Sequence, residues 1–393
     1  MNFLIKTLGC RVNQAESREI AGGLKSRGWR EAEPPELVIL NTCCVTVKAE
    51  KETRQTARAL KRKYPKSLLI VTGCAVDYWK MKGKLPDLET DLFLENKRKM
   101  AIAFHLRGGT GRTPRVFIKI QDGCNRFCSY CIVPYLRGRS RSKKPEGIIK
   151  EIEKLEKAGT KEVILCGINL ADYKPSLAFL LKKVLKETKI PRIRLGSINL
   201  SVFRNDFISL WSDSRLCPHF HIPLQSGCNQ TLERMKRGYT FEEYKKVVEA
   251  LLQRITGVNI TTDFMVGFPE ETGEEFEESL ENLKSLRLGK IHVFRYSKRE
   301  GTRAAEMENQ VPESVKKERA EKIRELGRRM GEEFAKKFIG KKLRVLFEQE
   351  KEGFFGGLSG NYIRVRAKGK SLMDKIKEVK IKVQKPGVLY GTS

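Results

Sequence analysis

The sequence predicts an α/β protein with three parts. They are an N-terminal Rossmann-like parallel α/β domain, a central partial (β/α)6 barrel and a small C-terminal β-barrel. Three observations predict it. Apolar, strand-like runs alternate with polar, helix-like stretches over residues 1–100. A second, longer βα series follows a glycine-rich break, and beyond Lys341 the pattern changes to short strands separated by glycine turns. The expected domains span 1–106, 112–330 and 331–393.

In the first part the strand candidates are Phe3–Leu8, Leu37–Leu40, Leu68–Thr72 and Asp91–Leu94, with helix candidates Gln14–Arg27 and Ala49–Lys63 between them. Strand–helix–strand alternation implies a parallel sheet with crossover helices. Each of the first three strands runs into a cysteine: Gly9-Cys10, Asn41-Thr42-Cys43 and Gly73-Cys74. Open parallel sheets gather their ligands at the carboxyl ends of the strands. Three cysteines distant in sequence are therefore expected to meet at one sheet edge.

The stretch Arg107–Pro114, with glycines at 108, 109 and 111, reads as a linker. The second series has strand candidates Val116–Gln121, Glu162–Gly167, Arg192–Ser197, His219–Leu224, Asn259–Val266 and Lys290–Tyr296. Its helix candidates are Pro145–Ala158, Ser176–Thr188, Thr240–Arg254 and Thr272–Leu286. Pro145 suits a helix start and Gly159 a helix stop. Six βα units in a row suggest a partial barrel with its site on the carboxyl-end face. A charged helix over Pro312–Lys337 keeps Ile323, Leu326, Met330, Phe334 and Phe338 at helical spacing, which suits packing on that barrel. The last part offers strands Leu343–Phe347, Tyr362–Val365 and Val379–Val383, with turns at Gly356-Gly357 and Gly360-Asn361, as a small β-barrel would.

Lys and Arg outnumber Asp and Glu by 78 to 48, for a formal net charge of +30. Such a surplus attracts polyanions, and nucleic acid is the foremost candidate. A thermophile-like surface is also rich in charge, but tends to balance its signs. Residues 331–393 hold 15 Lys or Arg against 7 Asp or Glu, +8 for this stretch alone. A small basic β-barrel attached to an enzyme suits RNA binding. Neither a long apolar run nor a signal-peptide pattern is present, so a cytoplasmic protein without membrane contact is expected. Ten cysteines in such a chain argue for metal or catalytic chemistry rather than disulfides.

Cys124, Cys128 and Cys131 stand at C-x3-C-x2-C spacing just past the first strand of the second series. Three thiolates on one tight loop can hold three irons of a cubane and leave the fourth open to a small molecule. Structural zinc wants four protein ligands, and no fourth Cys or His lies nearby.

This loop, with Tyr130 in it, resembles the radical S-adenosylmethionine superfamily. Nearly the whole chain resembles the methylthiotransferases within it, and most of all the branch acting on threonylcarbamoyladenosine in tRNA. The matching segments are Thr7–Gln14, Asn41–Cys43, Val71–Cys74, His221–Gly227, Val266–Glu270 and His292–Ser297. The closing β-barrel resembles a TRAM domain, the family's tRNA-binding module. The resemblance implies two [4Fe–4S] clusters, one on Cys124, Cys128 and Cys131 and a second on Cys10, Cys43 and Cys74, each with an open iron. It implies that one S-adenosylmethionine methylates a sulfur at the second cluster. Another is cleaved at the first to a radical that takes hydrogen from carbon 2 of the adenine at position 37, where the methylthio group is placed. It places Tyr130 against the cofactor's adenine, and Asn169, Asn199 and Gln225 at strand ends lining the S-adenosylmethionine pocket. The family has Ser-Ser-Ile-Glu where this chain has Gly196-Ser197-Ile198-Asn199, an amide in place of a carboxylate. Other implied partners are an electron donor such as a flavodoxin or ferredoxin and a sulfur source, and a monomer is expected.

Cys44 competes with Cys43 for the ligand role and is assigned to core packing. Cys166, Cys217 and Cys228 read as small buried hydrophobes, with Cys166 and Cys228 at strand ends near the site. His105, His219, His221 and His292 lack metal spacing. The basic run Leu136–Lys144 reads as a tRNA-phosphate contact at the mouth of the site, and Phe127 and Tyr135 as candidate stacking platforms. Alternatives are a methylthiotransferase acting on isopentenyladenosine tRNA or on a ribosomal protein, and an iron–sulfur RNA-binding protein without turnover.

Overall fold

A computed structural model describes residues 1–99, 102, 114–369 and 371–392. Residues 107–113 of the expected linker Arg107–Pro114, both boundary residues 106 and 112, and His105 lie outside the described residues.

The first sheet is parallel throughout. Its strands are β1 (Asn2–Thr7), β2 (Arg30–Glu31), β3 (Leu37–Thr42), β4 (Leu68–Gly73) and β5 (Leu92–Leu94), in the order β2-β1-β3-β4-β5. That is the flavodoxin-type order, one of the two common doubly wound arrangements. Helices α1 (Arg11–Lys25), α2 (Val47–Lys63) and α3 (Cys74–Met81) connect it. β3 is buried at all six positions, as a strand covered on both faces must be. Its alternate residues divide between two cores. Val38 and Leu40 pack with Trp79 and Tyr78 of α3, and Leu37 and Ile39 with Ile20 and Leu24 of α1. Thr46 caps α2 by accepting from the Ala49 N–H at 3.1 Å.

The central part is an open crescent of parallel strands. β6 (Arg115–Lys119), β9 (Glu162–Cys166) and β10 (Arg192–Leu195) form one sheet, ordered β10-β9-β6. β11 (His219–His221), β12 (Asn259–Val266) and β13 (Lys290–Arg295) form the other. Bridges Ile193–Leu216 and Ser197–His221 join them into one six-stranded wall. The expected helices appear as Pro145–Lys157, Leu177–Glu187, Phe241–Arg254 and Gly273–Lys284. The last two start in capping boxes, Thr240 with Glu243 and Thr272 with Glu275. The first expected strand is broken: Gln121–Asp122 leaves β6 as a separate strand β7, paired antiparallel with β8 (Arg141–Ser142), so that both sides of the intervening loop are held together.

The long helix Glu313–Lys336 puts Ile323, Leu326 and Met330 into the central core, while Phe338 just beyond it joins the core of the last barrel. That barrel closes as β14 (Lys342–Lys351), β15 (Phe354–Ser359), β16 (Arg364–Lys368), β18 (Val388–Thr392) and β17 (Ile376–Lys385). Two expectations are corrected here. Gly356 and Gly357 form no turn but lie within β15, where a Cβ on Gly357 would stand 2.2 Å from the Leu346 carbonyl oxygen of the neighbouring strand. Tyr362 precedes β16 instead of starting it. The end of β15 and the turn after it are seated on the starts of the central strands: Arg192 and Arg194 donate to the Leu358, Ser359 and Gly360 carbonyls, and the Tyr362 ring stacks on His219 at 4.6 Å.

Candidate active site

Cys10 follows β1 and caps α1, Cys43 follows β3, and Cys74 opens α3 directly after β4. The three strands are adjacent and parallel, so their carboxyl ends bring the cysteines to one edge, as expected. Gly9 makes the approach possible. It sits at φ +98°, and a Cβ there would fall 2.6 Å from Cys43 Cβ and 3.1 Å from its sulfur. Cys43 faces this edge, while Cys44 turns away into the core, fully buried with its Sγ 3.1 Å from the Cys74 carbonyl oxygen.

The second set lies on the loop between β7 and the short helix Val133–Arg137. Gly123 starts it at φ +71°, where a side chain would strike the Arg139 carbonyl oxygen at 2.1 Å. The Cys124 N–H donates to the Gly138 carbonyl at 3.0 Å and the Cys131 N–H to the Cys128 carbonyl at 3.0 Å, so both ends of the loop are fastened. Ser129 ties the middle to the core through the Arg234 carbonyl at 2.8 Å.

One cavity of about 1200 Å³ is lined by Cys10 of the N-terminal set and by Cys124, Cys128 and Cys131 of the loop. Tyr130, Asn169, Asn199 and Gln225 line the same cavity. The Tyr130 hydroxyl accepts from Arg237 at 3.1 Å, and the same guanidinium lies 3.5 Å from Cys128 Sγ. The Asn169 amide nitrogen is buried and has no protein partner. Asn199 is turned on its own loop, its Oδ1 accepting from the Ser201 N–H and hydroxyl at 3.3 Å. Gln225 holds a positive φ of 77°, bonded through its backbone to Asp263 and Met265. A second cavity, about 970 Å³, lies where the central strands begin, against the C-terminal barrel; among the described residues none of the six cysteines lines it. The chemistry therefore belongs to the first.

The comparisons with known proteins agree with this geometry. Residues 118–283 match the radical SAM superfamily, and residues 2–94 match uncharacterized protein family UPF0004. The threonylcarbamoyladenosine tRNA methylthiotransferase MtaB of Bacillus subtilis is 34% identical, over 98% of this chain and 94% of its own length. The MtaB of Aquifex aeolicus is 33% identical over 97% of this chain and 100% of its own. The tRNA-2-methylthio-N(6)-dimethylallyladenosine synthase of Clostridium tetani is 35% identical, over 91% of this chain and 88% of its own. The chain belongs to the radical SAM tRNA methylthiotransferases. Among solved structures, the radical S-adenosylmethionine methyltransferase TsrM of Kitasatospora setae shares the fold, with a TM-score of 0.52 at 14% identity over 75% of this chain and 74% of that one.

The thiols of this methylthiotransferase fit iron–sulfur ligation. Burial pushes the Cys43 thiol up to about 11, and Cys74 and Cys10 add to the rise. Burial likewise pushes Cys131 up to about 12, with Cys128 and Cys124 adding. Burial and neighbouring thiols thus favour the protonated form in each set, and binding iron would release those protons and stabilise the thiolates. Among the described residues, no three His, Cys, Asp or Glu side chains are arranged to hold a single metal ion. The unpartnered Asn169 amide supplies a donor for a polar cofactor.

Several residues of the methylthiotransferase site carry no signal in the sequence. Arg237 follows a short helix and reaches Tyr130, Tyr239 and the Pro223 carbonyl, and Asp263 pairs with His221 at 3.2 Å. Neither belongs to a motif with chemical meaning, and only the fold brings them in. His219 and His221 do share one side of β11, as expected, and both meet the Thr261 hydroxyl. Cys166 is buried yet lines the cavity, whereas Cys217 and Cys228 are buried away from it. The basic run Leu136–Lys144 is corrected: it is not one surface. Arg137 is buried on Glu16 and Asp122 and Lys143 pairs with Glu151, leaving Arg139, Arg141 and Lys144 exposed. Phe127 and Tyr135 are exposed and in edge contact at 5.5 Å, with Arg139 over the Phe127 ring at 5.2 Å. Among the described residues no helix is long and apolar enough to cross a membrane.

Proposed function

We propose that this enzyme methylthiolates carbon 2 of N6-threonylcarbamoyladenosine at position 37 of tRNA. It would use one [4Fe–4S] cluster on Cys124, Cys128 and Cys131 and another on Cys10, Cys43 and Cys74. The observation that carries this reading is one cavity, lined by Cys10 of the N-terminal set and by all three cysteines of the loop, with space for a cofactor and a nucleobase together. When bound, the clusters and S-adenosylmethionine supply one-electron chemistry able to attack an aromatic C–H bond that acid–base groups cannot.

The chain's own residues orient and enclose. Arg237 fixes the Tyr130 hydroxyl, so the ring offers a set face to the cofactor's adenine. Asn169 presents its free amide, and Gln225 and Asn199 complete the wall. At the mouth, the Phe127–Tyr135 pair and Arg139 suit stacking on bases flanking the target, and the basic barrel suits the phosphates beyond. An electron donor of the flavodoxin or ferredoxin type and a sulfur source complete the reaction, and a monomer is sufficient for it.

A tRNA substrate is supported by the positive charge and by the segments Val12-Asn13-Gln14 and His292–Ser297, and the threonylcarbamoyl branch by relatives named MtaB. Dimethylallyladenosine synthases match at similar identity. The test is a competition. The anaerobically reconstituted enzyme receives equal amounts of tRNA bearing threonylcarbamoyladenosine and tRNA bearing dimethylallyladenosine, and the digested nucleosides are weighed. A methylthio increment on the threonylcarbamoyl nucleoside supports the reading, and one confined to the dimethylallyl nucleoside refutes it.

A further inference from the structure

Arg137 closes the short helix that begins two residues after Cys131, yet its side chain leaves the central domain and enters the N-terminal one. It is 4% exposed. One guanidinium nitrogen donates to Glu16 at 3.1 Å and Asp122 at 2.8 Å, and the other to Asn13 at 2.8 Å and to Glu16 at 3.3 Å. Asn13 passes the hold onward. Its amide donates to the Leu8 carbonyl at 2.9 Å and the Thr42 carbonyl at 2.8 Å, the strand ends that present Cys10 and Cys43. Its oxygen lies 4.0 Å from Cys10 Sγ.

Arg137, Lys99 and Lys119 converge on Glu16, and Arg137 and Lys119 also meet Asp122, so the guanidinium is one member of a buried ion network. Burial works against the charge on Arg137. Cys74 first, then Glu16 and Asp122, more than offset that and hold the guanidinium above its ordinary range. A cubane on three thiolates is anionic, and the potential of such a cluster follows the charges and hydrogen bonds around it.

We propose that Arg137 is a positioning residue for the N-terminal cysteine site. Through Asn13 it clamps the strand ends bearing Cys10 and Cys43, and it keeps a permanent positive charge one hydrogen bond behind the Asn13 oxygen that lies 4.0 Å from Cys10 Sγ. Its place at the end of the helix that follows the other cysteine set makes the N-terminal site complete only when the two halves are docked. This rests on the N-terminal cluster proposed above.

The test uses the full chain with Cys124, Cys128 and Cys131 replaced by alanine, reconstituted so that only the N-terminal site fills. Arg137→Met, Arg137→Lys and Glu16→Gln are each added, and iron per chain and reduction potential, followed by electron paramagnetic resonance, are read. Arg137→Met is expected to lower the potential or lose the iron, and Arg137→Lys to retain both. Glu16→Gln breaks the same ion network but removes a negative charge, so it is expected to raise the potential. A shift of the Met and Gln variants in the same direction, no shift in either, or loss of iron from both would overturn the proposal, because a merely structural role predicts no opposition of sign. A parent that binds no iron would remove the N-terminal cluster and this inference together, whereas an iron-loaded parent with indifferent variants removes the inference alone.

Discussion

Arg299, in the loop after the last central strand, donates to Glu50 on α2 at 2.6 Å, a buried ion pair joining the central crescent to the N-terminal sheet. Its guanidinium lies 3.6 Å from the centroid of the Tyr78 ring, and Trp79 donates to the same carboxylate at 2.8 Å. Together with Arg137 it makes the two cysteine sets parts of one docked body. Stranding one member of a buried pair costs about 3–5 kcal/mol, and because Glu50 keeps Arg54 at 3.0 Å the loss of Arg299 should cost less than that. Arg299→Met is therefore expected to lower the melting temperature by several degrees and to increase protease nicking near residue 50. A melting temperature unchanged within error would show that the pair does not hold the halves together.

Acid should loosen the same seams. Burial alone would raise Glu16, but Arg137, then Lys99 and Lys119, outweigh it and hold the carboxyl well below its ordinary range. Glu162 behaves likewise under Arg194 and Arg192. A carboxylate lowered in the folded state contributes stability that is present above the unfolded value, about 4.3, and is lost as pH falls through the folded one. Stability from these groups should hold at neutral pH and decline below about pH 4. Glu16→Gln and Glu162→Gln should flatten that decline, as thermal melts between pH 3 and pH 7 would reveal.

Cys43 and Cys44 are neighbours with opposite surroundings. Two four-iron clusters require about eight irons per chain. Cys43→Ala is expected to reduce the reconstituted content towards about four, and Cys44→Ala to leave it near eight. Iron and labile-sulfide assays decide it, and the reverse pattern would exchange the two roles.

The C-terminal barrel exposes Lys380 and Lys382 on β17. Each phosphate contact releases counterions, so removing two should reduce the slope of log affinity against log salt by about 2. Filter binding of tRNA to the double Ser variant over a salt series gives that slope. An unchanged slope would place the RNA on another face.

Much of this site is legible in the sequence because it is local. C-x3-C-x2-C is a single loop, and Cys10, Cys43 and Cys74 each end an apolar strand, so parallel topology alone brings them to one edge. The strand Asn259–Val266 is readable to the residue because its β-branched and aromatic residues lie between Gly257 and the turn Gly267-Phe268-Pro269. What the sequence hid is non-local. Arg137 looks like one more cation in a basic run until the fold buries it against Glu16, 121 residues away. Arg237 and Asp263 acquire meaning from what faces them across the cavity. β15 went unread because its glycines, which suggest a turn, are there to admit the neighbouring strand's backbone.

The central claim is that the two cysteine sets do different work on one tRNA base. It is tested most directly by comparing wild type with Cys10→Ala, Cys43→Ala and Cys74→Ala variants under anaerobic reducing conditions, with S-adenosylmethionine and threonylcarbamoylated tRNA. 5′-Deoxyadenosine and the nucleosides are measured by mass spectrometry in the same samples. Wild type should yield both 5′-deoxyadenosine and the methylthio nucleoside, while the N-terminal variants yield 5′-deoxyadenosine without the methylthio nucleoside. Methylthio product from the N-terminal variants at the wild-type level would contradict the account.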